Sequence, residues 1–203
     1  MISFSTDQLD ALAEVFNIGA GRAASSLSEI VGSDVKLSVP RVEFFKSSEI
    51  NASALNLTSD RIGAVRQHFS GSIEAEVMLL FTEERALNIV REMMGSDASI
   101  EELAEYEQEA MCELGNIILN ACISAIADIL GVTLDTTLPI YSVDSTELIL
   151  SQIVSDAGQP VMLVLHINMT IEKHDSQGNL AFILSSTSLK ELIVHIDRHI
   201  QGM

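Results

Sequence analysis

Tryptophan is absent and aromatic residues make up only 4% of the chain, so a core must be built from Ile, Leu, Val, Ala and Met. Basic residues are scarce: 11 Lys and Arg stand against 29 Asp and Glu, a net charge of −18. That balance excludes nucleic acid, whose phosphates need a basic footprint, and an anionic membrane surface. It predicts a soluble chain whose copies repel one another. The only cysteines, Cys112 and Cys122, lie ten residues apart on one predicted helix. That is about 15 Å, beyond the roughly 7 Å between Cα atoms that a disulfide spans. Both are expected as buried small thiols. The opening residues, MISFSTDQLD, lack the basic region of a secretory signal. No uninterrupted run approaches the roughly 18 apolar residues of a membrane span. The chain is expected in the cytoplasm, with neither nucleic acid nor membrane as a partner.

What is present is a chain of 203 residues, 47% hydrophobic, long enough for one domain with a substantial core. Ser5 and Gln8 have capping-box spacing. They predict a helix from near Asp7, with an apolar stripe through Leu12, Phe16, Ala20, Ala23 and Leu27 and a stop at Gly32. DVKLSVPRVEFF alternates like a strand, residues 47–60 are a polar loop, and IGAVRQHFSGSIEAEVMLLF reads as two strands turning near Gly71. TEERALNIVREMMG predicts a short helix between Thr82 and Gly95, with the Met93–Met94 pair as core. Ser99 and Glu102 cap a long helix that Gly131 ends. TLDTTLPIYSV, ELILSQIVS, QPVMLVLHINMTIE and LAFILSS read as strands, with a turn at SQGN (176–179). A last helix is expected from Ser188 as its cap.

The order helix, strands, helix occurs twice, and a register supports it. Glu113, Asn116, Gly131 and Pro139 each lie 99 residues after Glu14, Asn17, Gly32 and Pro40. VMLLF at 77 and VMLVL at 161 break that offset, which predicts extra residues in the first half, around the loop at 47–60. The expected architecture is α+β. One antiparallel sheet is shared by two pseudo-symmetric halves, about 1–98 and 99–203, with the two long helices side by side on one face.

Asp10, Glu14, Asn17 and Gly21 fall within about 60° of arc on an ideal helix, away from the apolar stripe. Glu109, Glu113, Asn116 and Asn120 hold the same angles on the second helix. One Glu-x-x-Asn pair is commonplace on a solvated helix. Duplicated architecture, however, needs only the core and the turns to recur, not two exposed polar residues in both halves. A carboxylate there can pair with a cation. A carboxamide, donor and acceptor at once, can hold a water against an electrophile, as amides do in phosphoryl hydrolysis. Gly21, bare on this stripe, allows a partner to approach. Glu14, Asn17, Glu113 and Asn116 are therefore the candidate catalytic residues. His195 and His199, one turn apart on the last helix, have metal-ligand spacing but no third ligand nearby, so no metal is expected of the chain itself.

These motifs resemble the CheC/CheX/FliY family of chemotaxis phosphatases, whose pattern is Asp or Ser, three residues, Glu, two residues, Asn, then Pro 23 residues on. Here it reads Asp10, Glu14, Asn17, Pro40, and again Glu113, Asn116, Pro139. Two motif copies resemble CheC or FliY more than single-site CheX, and free-standing CheC most. The resemblance implies the CheC-like fold and, as substrate, a phosphorylated CheY-like receiver domain. Glu14 or Glu113 would pair with the receiver's active-site Lys, and Asn17 or Asn116 would orient water in line with the aspartyl phosphate. No cofactor belongs to the chain; Mg2+ would come with the receiver. A CheD-like regulator is a further partner that the family admits. The second copy has Glu109 in place of Asp or Ser and Asn120 in place of Gly21, which predicts less direct substrate approach there. The alternative is a non-catalytic adaptor that binds a receiver or a flagellar-switch component with the same faces.

Overall fold

The computed structural model describes residues 4–46, 49–55, 57, 59–94, 99–155, 161–171 and 174–202. In chain order the elements are α1 (Thr6–Val31), β1 (Val35–Lys46), β2 (Arg61–Gly71), β3 (Ala75–Thr82), α2 (Glu83–Met94), α3 (Ile100–Leu130), β4 (Leu134–Thr136), β5 (Ile140–Ser145), α4 (Thr146–Ser155), β6 (Val161–Ile171), β7 (His174–Leu184) and α5 (Ser186–Gly202).

Both long helices obey their caps. The Ser5 hydroxyl accepts the N–H of Gln8, and the Gln8 side chain accepts the N–H of Ser5; Ser99 and Glu102 do the same for α3. The two bonds to Ser99 hold the Glu102 carboxyl below its usual range. Gly32 and Gly131 end the helices at φ 72° and 64°, a conformation that glycine adopts without steric cost.

The strands form one antiparallel sheet in the order β1-β6-β7-β3-β2, with β4 and β5 both paired to β2 at the far edge. The edges are exchanged between the halves. β1 pairs with β6, from Val35 opposite Ile171 to Lys46 opposite Val161. β5 and β4 pair with β2, from Ser145 opposite Arg61 to Leu134 opposite Gly71. One sheet face packs on the helices through Leu12, Phe16, Leu114 and Ile118. Leu55, Leu57 and Ile149, from the loop before β2 and from α4, cover the other.

Four expectations change. ELILSQIVS is helix α4, not a strand: Ser145 Oγ accepts the N–H of Leu148 at its start, and Ile149 faces the core. SQGN is not a turn but part of β7, where Gln177 lies opposite Asn168. α5 is capped by Ser185, whose Oγ accepts the N–H of Ser188. VMLLF and VMLVL are not equivalent either, for the first lies in central β3 and the second in β6, next to an edge. Matched by place in the sheet, β2 begins at 61 and β6 at 161, so the 99-residue offset is nearly kept. Gly95, the expected end of α2, lies outside the described residues. α3 also holds a stretch, Tyr106–Leu130, long and apolar enough by composition to cross a membrane; 50% of its most apolar window is buried within the fold.

The paired glycines of α1 serve different ends. A Cβ on Gly19 would lie 2.7 Å from the Cα of Cys122 and 2.9 Å from the carbonyl oxygen of Ala121, so Gly19 is where α1 and α3 touch backbone to backbone. A Cβ on Gly21 would meet nothing within 4 Å. Gly19→Ala is therefore expected to cost about 1–3 kcal/mol, as overpacking does. Gly21→Ala is expected to stabilise by up to about 1 kcal/mol through helix propensity. Urea midpoints of the two variants check this, and shifts of the same sign would refute the assignment.

Candidate active site on two helix faces

The four predicted residues lie off the core. Glu14, Asn17 and Glu113 are exposed, and Asn116 is half-buried. Among the described residues, neither Glu14 nor Glu113 has an ion-pair or hydrogen-bond partner, so both carboxylates are available to a cation. The two asparagines differ.

Asn17 is fastened to β1. Its Oδ1 accepts the N–H of Val39 at 2.8 Å, and its Nδ2 donates to the carbonyls of Val39 at 3.0 Å and Ala13 at 2.8 Å. The need arises in the strand. Pro40 has no N–H to give, and the pairing of β1 with β6 shifts register between Ser38 and Arg41. Val39, 1% exposed, thus loses its ladder partner, and a buried amide left unpaired costs about 1–3 kcal/mol. The carboxamide of Asn17 supplies the missing pair, a physical reason for a proline 23 residues after this asparagine.

At the other edge the break is wider, because Thr137, Leu138 and Pro139 separate β4 from β5. Asn116 makes no bond to that segment. Its Oδ1 accepts Nδ2 of Asn120 at 2.6 Å. The Oδ1 of Asn120 lies 3.4 Å from Nε2 of Gln67, a side chain on β2 that is only 1% exposed. Gln67 Nε2 also donates to Thr136 Oγ1 at 2.6 Å and to the Thr137 carbonyl at 2.7 Å.

Glu113 and Asn116 line a groove of about 670 Å³ together with Met93, Met94, Tyr106 and Leu138. Its rim is apolar: Leu138 is 84% exposed, and Ile140 beyond Pro139 is 67% exposed. Of the methionine pair expected in the core, Met93 packs half-buried against it while also lining the groove, and Met94 is exposed on this surface. Behind the rim, Tyr141 donates to Glu107 Oε1 at 2.6 Å, and burial together with that carboxylate raises the phenol well above its ordinary range. Cys112 and Cys122 are both free; burial pushes the Cys122 thiol up to about 12, while Cys112 is only half-buried. Among the described residues no group of three His, Cys, Asp or Glu is placed to hold a metal.

Sequence reasoning missed Gln67 and the apolar rim. A glutamine inside the apolar run IGAVRQHF was the available signal, since an uncharged polar side chain on a central strand needs a partner.

Two matches coincide with the two motifs. Residues 8–43, carrying the first motif, match the CheC-like family, and residues 64–163, carrying the second, match the chemotaxis phosphatase CheX. The chain belongs to the CheC/CheX/FliY family. The CheY-P phosphatase CheC of Bacillus subtilis is 26% identical over 165 residues, covering 75% of this chain and 74% of that protein. Putative CheY-P phosphatase CheC1 of Halobacterium salinarum is 23% identical, covering 77% and 80%. In fold, FliY of Thermotoga maritima superposes at a TM-score of 0.78, with 20% identity over 98% of this chain and all of that one. The middle domain of FliM from H. pylori superposes at 0.63, with 12% identity over 95% and 99%. The CheC fold thus occurs here with Glu14, Asn17 and Glu113 exposed and Asn116 half-buried on its two long helices.

Proposed function

We propose that this chain hydrolyses the aspartyl phosphate of a CheY-like receiver domain in the cytoplasm. The observation that carries the reading is Glu113 and Asn116, one helical turn apart, lining a groove with an exposed apolar rim. The rim suits a protein surface rather than a small ion. The relatives at 26% and 23% identity bear the names CheY-P phosphatase CheC and Putative CheY-P phosphatase CheC1.

In this reading Glu113 pairs with the receiver's Lys, and Asn116 holds a water in line with the phosphorus. Water oxygen bonds to phosphorus as the bond to the aspartyl oxygen breaks. The aspartate leaves as carboxylate, and the water protons pass to phosphate and solvent. Magnesium is a part of the receiver. The chain contributes placement and charge, the main levers in phosphoryl transfer. Glu14 and Asn17 form the second candidate pair. The open amide of Asn116 favours the α3 site over the α1 site, the reverse of the order that the departures at Glu109 and Asn120 suggest. A CheD-like regulator remains a proposed partner without an assigned surface.

The test is phosphate loss from a phosphorylated receiver with magnesium. The wild-type chain is expected to accelerate it, and the variant Asn17→Ala/Asn116→Ala to lose about 10²-fold or more. A folded double variant with wild-type activity would leave only the adaptor reading, in which the same faces bind without catalysis.

A further inference from the structure

We infer that Asn120, aligned by buried Gln67, is a positioning residue that fixes the direction of the Asn116 carboxamide. The inference rests on the phosphatase reading for its consequence but on hydrogen-bond polarity for its content.

The polarity starts at a group that has no choice. The Thr137 backbone carbonyl can only accept, so the side chain 2.7 Å away must turn Nε2 of Gln67 toward it. Its two hydrogens are directed at the Thr137 carbonyl and at Thr136 Oγ1, and the same amide group meets Oδ1 of Asn120 in a longer, shared contact at 3.4 Å. Turning Asn120 over would set two N–H groups against each other, so its Oδ1 stays toward Gln67 and its Nδ2 toward Asn116. Asn116 must then answer with Oδ1, at 2.6 Å. What Asn116 keeps for the groove is both hydrogens of Nδ2, which have no partner among the described residues, and one lone pair of Oδ1. One group therefore donates to a phosphoryl oxygen while the other accepts from water. Gln67 is held in place by Thr136 as well, and its buried position on β2 keeps its own end of the relay from solvent. Its own Oε1 is buried without a partner, which leaves the side chain committed through its nitrogen alone.

On α1 no such relay exists. Gly21 takes the place of Asn120, and Asn17 spends its amide on Val39. Asn120 thus replaces a strand contact by a side-chain contact, and the carboxamide of Asn116 is oriented without being used up.

The experiment is a double-mutant cycle on the full chain, with a phosphorylated CheY-type receiver varied at saturating magnesium. Asn120→Ala is expected to lower kcat about 10-fold with KM unchanged, since alignment is lost while Glu113 and the rim still bind. In an Asn116→Ala background it is expected to cost nothing further. Gln67→Met, which keeps the volume of the buried side chain, is expected to act in the same direction and to a smaller extent. NMR of the Asn116 side chain gives an independent readout: one χ1 rotamer in the wild type, averaging in Asn120→Ala. A rotamer that stays fixed, an additive loss in the double variant, or a rise in KM alone would overturn the positioning role. Should Asn116→Ala leave the rate intact, the α3 site is not where the phosphate is lost and the kinetic consequence of the alignment falls, while the rotamer measurement still decides the alignment itself; the phosphatase reading as a whole falls only with the Asn17→Ala/Asn116→Ala variant.

Discussion

Asn116→Ala is expected to slow release of phosphate from a phosphorylated receiver by about 10²-fold, the scale of one lost oxyanion-type donor, with little change in stability. Asn17→Ala is expected to do the opposite. Removing its carboxamide strips the N–H and C=O of Val39 of their partners in a buried strand. The cost should be about 1–3 kcal/mol of stability, with most of the activity retained. Sequence alone treats both substitutions as harmless to folding, because both residues sit on the polar side of a helix. Thermal unfolding and phosphate release on the two single variants separate the roles. Equal losses of activity at unchanged stability would restore two equivalent sites and refute the clamp.

The second large effect concerns the chain as a whole. Cutting between Asp97 and Ala98 is expected to leave neither piece folded alone. The first piece would keep β2 without β4 and β5, and β1 without β6; the second would lose the reciprocal partners. Each would also lose the pairing of β3 with β7 and the contact of α1 with α3 at Gly19. Domain stability is only about 5–15 kcal/mol in total, far less than an exposed sheet edge and an uncovered core face remove. The two pieces mixed together are expected to recover native circular dichroism. A cooperative unfolding transition from residues 1–97 alone would show that one half is an independent domain.

Where local chemistry decides, the sequence was legible. Two capping boxes and two left-handed glycines fixed both ends of α1 and α3, because each signal acts within a turn of the residue that carries it. Misreadings occurred where tertiary contacts outvote local preference. In ELILSQIVS the β-branched residues suggested a strand, although Thr146, Ile149, Leu150 and Ile153 also recur at helical spacing; packing of Ile149 over the sheet selects the helix. SQGN has turn chemistry, yet ladder pairing with β6 carries the strand through it to His174. At the site, the exposed face and its four residues could be read from helical angles. The bond from Asn17 to Val39 could not, because the need for it comes from a register shift in β1 that only pairing with β6, far along the chain, creates. Gln67 was hidden for the same reason, since its partners come from α3 and from the segment beyond it.

The exchanged edges also dictate an order of events in time. β1 leaves the ribosome early, yet Val35 must wait for Ile171 before it has a ladder. During that interval the α1 helix, its capping box complete, can form within its own turn, while Phe44 and the rest of the strand have no sheet to join. Contacts so distant in the chain slow folding and prolong the exposure of unpaired strand. The bond from Asn17 to Val39 spans only 22 residues and can close before β6 exists. Formed early, it would hold the first-made strand against the first-made helix until synthesis delivers the strand that completes the edge.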